Sequence, residues 1–187
     1  MRAERGVAAP RHQGGPVQEP LPRDPIAEAA RNWERHGWGE YAEPMAAVTS
    51  IMRAQQILIG RAEAIMKGFG LTFARFEMLQ LLSFARGSQM PMSRASRLLQ
   101  VHPTSVTSAV DRLEKDGLVE RTAHPTDGRT VLLVLTDEGR ELARSAAEAL
   151  NEQLFASTGF NARDVASLNR ILQRFRQKSG DFAAPLD

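Results

Sequence analysis

Apolar residues return at every third or fourth position over most of this chain, and in one central stretch they gather into two short runs instead. From Pro44 to about Lys67, Val48, Met52, Leu58, Ile59, Ala62, Ile65 and Phe69 recur at helical spacing and predict a long amphipathic helix, ended by Gly68 and Gly70. Ahead of it, Asp24-Pro25 is a helix start with proline at the first helical position, and Ile26, Ala30 and Trp33 carry a short helix as far as Gly37. Thr72 is placed to cap a third helix over 73–85. Its Phe76, Met78, Leu79, Leu81 and Leu82 are apolar on most sides and predict a central core element. Toward the C-terminus, Thr136 and Asn161 stand as caps of two more helices. Leu142, Ala146, Ala149, Leu150 and Leu154 stripe the first, and Val165, Leu168, Ile171, Leu172 and Phe175 the second, with Gly159 between them.

The central stretch, 92–139, reads as helix, turn, helix, hairpin. A short helix over 93–100 meets a turn at Val101-His102, and a second helix opens at Pro103 and closes at Gly117. Two apolar strands, 118–123 and 130–135, flank the turn Pro125-Thr126-Asp127-Gly128-Arg129. This order is a winged helix-turn-helix, which lays one helix in a major groove while the hairpin touches the backbone or minor groove.

Within the second helix, Val106, Ala109, Val110 and Leu113 share one face and are expected to pack on Ala95, Leu98 and Leu99. The opposite face carries Thr104, Ser105, Thr107, Ser108, Asp111 and Arg112. Short hydroxyl side chains let a helix sit deep in a groove, and Arg112 reaches a guanine or a phosphate one turn later. Arg129, just past the hairpin tip, suits the electronegative minor groove, with Asp127 expected to hold its side chain. Asp111 and Glu114 lie on a helix bearing Arg112 and Lys115, where ion pairing is their expected role.

These residues carry a resemblance. Val101-His102-Pro103-Thr104-Ser105-Val106-Thr107, Val110-Asp111-Arg112-Leu113-Glu114, Gly117-Leu118-Val119, Asp127-Gly128-Arg129 and Leu135-Thr136-Asp137-Glu138-Gly139 are similar to the MarR family of bacterial transcription regulators. In element order the resemblance spans about residues 44 to 178. It implies a homodimer whose N- and C-terminal helices interlock and whose two winged lobes grip a pseudo-palindromic operator. Most members are repressors released by a small aromatic or anionic ligand. By resemblance Thr104, Ser105, Thr107, Ser108 and Arg112 face the groove and Arg129 is the wing arginine. Many members have a basic or amide residue where Ser108 stands. Trp33 matches by position a tryptophan of the extra helix in the urate-responsive branch, which has Arg at the position of Ser108 and Asp at that of Glu77. Trp33 is therefore expected either to pack that helix or to line a ligand pocket, with Arg53 and Gln56 as further pocket candidates. Trp38 and Tyr41 suit an interface edge.

The fold class expected is mainly α (α+β), a winged helix-turn-helix lobe with N- and C-terminal dimerisation helices. Residues 1–23, rich in Pro and Gly, form a disordered arm. Residues 24–70 hold the extension and first dimerisation helices, 71–136 the DNA-binding lobe and 137–180 the C-terminal dimerisation helices. The long apolar stripes at both ends need cover that one winged domain does not supply, and a twin chain related by a twofold axis is the simplest source.

Composition narrows the function further. A pI ≈ 9.5 accompanies a formal charge of only +2, so local clustering of basic residues says more than the total. The absence of cysteine excludes disulfides, thiol redox sensing and thiolate metal sites. His12, His36, His102 and His124 lack ligand spacing, so neither metal nor cofactor is expected. No apolar run approaches membrane-spanning length, and Arg2 and Arg5 have no apolar segment behind them, so a cytoplasmic protein off the membrane is expected. There is no phosphate loop, nucleophile elbow or zinc-protease motif, and an enzyme is not expected. The expected function is a DNA-binding regulator with double-stranded DNA, a second copy and a small effector as partners. The alternative is a winged-helix protein-interaction module with no operator.

Overall fold

Four helices begin where a side chain takes the place of the missing helical acceptor. The computed structural model of the chain describes residues 20–99, 103–124 and 126–183; for residues 103–105 and 128 it describes the backbone alone. Residues 1–19 of the expected arm, the Val101-His102 turn and Pro125 lie outside the described residues. The chain divides between Gln55 and Gln56 into two units.

In the first unit, helix α1 (Pro25–Arg35) starts at Asp24, whose carboxylate accepts from the Ile26 amide at 2.9 Å. Gly37, at φ +83°, makes the turn that only glycine adopts freely. Helix α2 (Gly39–Lys67) then begins five residues ahead of Pro44, the expected start. Pro44 lies inside the helix and gives the exposed Glu40 carbonyl no N–H, which a proline at a first turn would not have owed it. The division between the units falls within this helix.

The second unit holds the core. Helix α3 (Phe73–Phe84) is capped by Thr72, whose hydroxyl accepts from the Arg75 amide, and Glu63 of α2 accepts from the Phe73 amide at 2.9 Å. Phe76, Met78, Leu79 and Leu82 are buried, as their pattern requires. Strand β1 (Gln89–Pro91) leads into α4 (Met92–Leu98), then α5 (Pro103–Lys115), β2 (Val119–His124) and β3 (Asp127–Leu135). The sheet is antiparallel in the order β1-β3-β2, with Met90 opposite Leu133 and Arg121 also opposite Leu133 from the other side. The third strand, β1, was not expected from the sequence. Helix α6 (Asp137–Leu150) starts at Thr136, whose hydroxyl accepts from Gly139, and packs on α3 through Ala143, Ala146 and Leu150. It passes into a π-helical turn (Asn151–Phe155). Helix α7 (Ala162–Lys178) opens with a capping box of Asn161 and Asp164. Among the described residues no helix is long and apolar enough to cross a membrane.

Candidate nucleic-acid interface

Helix α5 is two-faced in the way its sequence requires. Val106, Val110 and Leu113 are completely buried and Ala109 half-buried, one stripe at i, i+4, i+7. Thr107, Ser108, Asp111 and Arg112 are exposed on the other side. The side chains of Thr104 and Ser105 lie outside the described residues, although their backbone forms the first turn of the helix. Against expectation, Leu98 does not join the stripe. Ala95 is buried and Leu99 packs against the core, but Leu98, the last residue of the seven-residue helix, is 51% exposed.

The helix ends at Gly117, in the left-handed region at φ +71°, with the Leu118 amide reaching back to the Leu113 carbonyl at 2.9 Å. Two arginines brace it. Arg75 of α3 donates to Asp116 at 3.1 Å and to the Gly70 carbonyl at 2.5 Å. Arg121 of β2 donates to Asp111 at 2.6 Å and to Glu114. Partial burial works against the charge on Arg121, but the two carboxylates outweigh it and hold the guanidinium ionised more firmly than a free arginine. The expected pairing of Asp111 and Glu114 with Arg112 and Lys115 is thereby corrected: a strand residue takes both carboxylates. Arg112 makes no ion pair among the described residues and stays exposed. Arg121 escaped the sequence reading, yet the signal was there, since it lies two residues from buried Val119 and so on the same face of β2.

The hairpin departs from expectation at its tip. His124 pairs with Asp127, so Asp127, expected in the turn, already belongs to β3. Ala123 pairs with Val131, which leaves Gly128, Arg129 and Thr130 bulged out against the Ala123–His124 step. Asp127 does not grip the Arg129 guanidinium. Its carboxylate accepts from the Thr130 hydroxyl at 2.7 Å and the Arg129 backbone amide at 3.1 Å, because a side chain this short closes an Asx turn on its own backbone more readily than it reaches a neighbour's side-chain end. The Thr130 hydroxyl first, and then the Arg129 amide, hold the Asp127 carboxyl below the usual range. Asp127 thus shapes the bulge that carries the exposed Arg129.

A glycine fixes the lobe to α6. A Cβ on Gly139 would lie 2.1 Å from the Leu118 carbonyl oxygen, so no other residue fits there without moving backbone. Thr136 completes the junction, its hydroxyl donating to the Gly117 carbonyl at 2.9 Å.

Of the ligand-pocket candidates, Trp33 is half-buried and meets Trp38 edge to face at 5.5 Å, with His36 stacked on Trp38 at 6.0 Å. Both ring contacts lie at the α1–α2 turn. Arg53 and Gln56 are exposed along α2. A cleft of ≈ 660 Å³ lies elsewhere, between α4 and the hairpin, and none of the three lines it.

Comparison with known proteins finds the same architecture. The sequence profile described as the MarR family matches residues 69–130. Sco5413 of Streptomyces coelicolor, a MarR family transcriptional regulator, is 44% identical and superposes with a TM-score of 0.69, covering 76% of this chain and 99% of its own. YhbI of Bacillus subtilis (strain 168), an uncharacterized HTH-type transcriptional regulator, is 30% identical over 127 residues, 64% of this chain and 81% of YhbI. Sco3205 of Streptomyces coelicolor, solved in complex with DNA, shares the fold with a TM-score of 0.65 at 23% identity over 73% of this chain and 88% of its own.

Proposed function

This chain belongs to the MarR family of transcriptional regulators, and on that premise we propose that it is a repressor acting as a homodimer on a pseudo-palindromic operator. The observation that carries the reading is the outer face of α5: exposed Thr107, Ser108 and Arg112, with the acidic neighbours Asp111 and Glu114 neutralised by Arg121 from behind. A carboxylate beside phosphates repels them, and a bound guanidinium removes that cost. In this reading Thr104, Ser105, Thr107, Ser108 and Arg112 meet base edges and phosphates in the major groove, while Arg129 enters the minor groove from the bulge that Asp127 shapes. The DNA-bound neighbour of the same fold supports it.

The dimer is supported by faces that one chain leaves uncovered. Val165, Leu168, Ile171 and Phe175 stripe α7 and are 37–65% exposed. Covering a fully exposed side chain of this kind is worth about 1.5–3 kcal/mol, and the part still exposed on each of these four would add to the attraction between two chains. The first unit has its own exposed apolar residues, Val48, Ile51 and Met52 among them. Residues 24–70 and 137–180 act as the dimerisation segments and 71–136 as the DNA-binding lobe. Two α5 helices then meet successive major grooves about 34 Å apart, and a small aromatic or anionic effector that changes this spacing releases the operator. Repression follows from occupancy, since a dimer seated on a promoter excludes polymerase.

Selection of bound duplexes from a random pool tests the reading. The expected winner is an inverted repeat with half-sites about one helical turn apart, bound by a dimer in sedimentation. A pool with no enriched sequence would instead leave the winged lobe as a protein-interaction module. Aromatic and carboxylic acids are then screened for release of the winner.

A further inference from the structure

We propose that Arg75 is the positioning residue that fixes the direction of α5 against the end of α2, so that half-site spacing is enforced through a side chain that does not meet DNA. The inference rests on the regulator reading only for its consequence at the operator. Arg75 stands in the first turn of α3, and its side chain is 12% exposed. The two ends of its guanidinium fork reach different elements. One nitrogen donates to the Gly70 carbonyl at 2.5 Å, and the other to the Asp116 carboxylate at 3.1 Å, 41 residues along the chain.

Both acceptors are themselves anchored. Gly70, at φ +68°, closes the end of α2: its amide reaches the Lys67 carbonyl at 3.2 Å, and the Leu71 amide reaches that of Met66 at 3.1 Å. Glu63 of α2 accepts from the Phe73 amide, so the first turn of α3 is tied to the same helix a second time. Asp116 follows α5 directly, and its amide donates to the Arg112 carbonyl at 2.9 Å. The tether therefore ends on the turn that carries Arg112.

The length of α5 makes that grip consequential. Its 13 residues span about 20 Å, so a tilt of about 10° pivoting at Asp116 displaces the opposite end by about 3.5 Å, one base-pair step. The buried stripe of Val106, Val110 and Leu113 resists withdrawal from the core, but apolar contact is non-directional, whereas hydrogen bonds set an angle. Stability alone does not account for the arrangement. The Arg75 Nε is buried with no hydrogen-bond partner among the described residues, a penalty that an apolar side chain would avoid. What a buried charge of this kind best supplies is a fixed register.

The test uses the full chain and the selected operator, with one base pair added to or removed from its centre. The native protein is expected to lose about tenfold or more in affinity at the altered spacings. Arg75→Gln and Asp116→Ala are each expected to shrink that ratio by about threefold or more, with the salt slope unchanged because neither residue meets a phosphate. Asp116 is half-exposed, so its variant keeps the fold even where Arg75→Gln does not. Combining the two is expected to go no further than Arg75→Gln, since both remove one link. Equal losses at every spacing would show that Arg75 only stabilises the lobe, and the proposal is then overturned. A salt slope lowered by about 1 for each Arg75 removed overturns it too, by making the residue a phosphate contact. A second measurement needs no DNA. The chain has no cysteine, so Lys67→Cys/Ser108→Cys accepts a pair of spin labels at exposed sites on α2 and α5, diluted with excess unlabelled protein to keep each pair within one chain. Asp116→Ala is expected to broaden the distance distribution by about 3 Å, the displacement of the tilt, and an unchanged width overturns the proposal whatever the operator does. Broadening without any enriched operator would sustain the link and sink the regulator reading instead.

Discussion

The Arg121 guanidinium on β2 lies 2.6 Å from the Asp111 carboxylate on α5, and so ties the wing to the helix that faces DNA. Side-chain exposures of 25% and 57% place the pair near water, where such bridges contribute about 0.2–1 kcal/mol. Arg121→Ala is therefore expected to lower stability by no more than about 1 kcal/mol. Operator affinity is expected to fall about tenfold, because Asp111 is left facing phosphates unneutralised. Arg121→Ala/Asp111→Asn should recover part of that affinity. A double variant that binds no better than Arg121→Ala in fluorescence anisotropy would show that charge relief is not what Arg121 supplies.

Arg112 and Arg129 separate the two ways of holding DNA. Arg112→Ala is expected to weaken binding by about 1–3 kcal/mol and to relax sequence preference at one position of each half-site. Arg129→Ala is expected to weaken binding to many sequences alike and to lower the salt slope by about 1 for each arginine removed from the dimer. Titrations at several salt concentrations read both, and an unchanged slope for Arg129→Ala would remove the wing from the interface.

Gly139→Ala is expected to destabilise the fold by about 3 kcal/mol, since its Cβ meets the Leu118 carbonyl oxygen at 2.1 Å and Leu135 Cδ1 at 2.9 Å. Urea denaturation at fixed protein concentration measures it. A midpoint within error of the native protein would mean that the α5–β2 junction yields freely.

Glu77 makes stability depend on pH. It is half-buried on α3, and burial pushes its carboxyl above the usual range. The folded state thus holds the proton more tightly than the unfolded chain. Stability from this group is greatest below the ordinary carboxylate value and is lost as pH rises through the raised one. Glu77→Gln is expected to raise the melting temperature at pH 7 and to have no effect at acid pH, where both side chains are neutral. An equal effect at both pH values would assign the change to packing.

Ile171→Asp, on the exposed stripe of α7, is expected to give monomers at micromolar concentration with unchanged helix content. Sedimentation equilibrium decides it, and an intact dimer would exclude α7 as a contact surface.

What could be read from the sequence was local. Asp24, Thr72, Thr136 and Asn161 each cap the helix they announce, because a cap needs only its own next three residues. The buried stripes of α3 and α5 followed from spacing alone. Strand β1 was hidden: Gln89-Met90-Pro91 is too short to show a period and pairs only through partners some forty residues away, such as Val134 for Gln89. Pro44 misled because a proline six residues into a helix looks like one at its start. In the site, the exposed faces of Thr107, Ser108 and Arg112 were legible. The partner of Asp111 was not, since Arg121 reaches it across two elements, and Asp127 turned back on its own backbone for reasons of reach.

The slip in register between Ala123–Val131 and His124–Asp127 has an evolutionary consequence. Pairing from Val131 to Leu135 is anchored in the core and does not pass through the looped-out residues, so insertions or deletions there change how far the tip projects while the lobe beneath keeps its alignment. Reach toward shallow or deep grooves can thus be adjusted in a segment that carries no burden of folding.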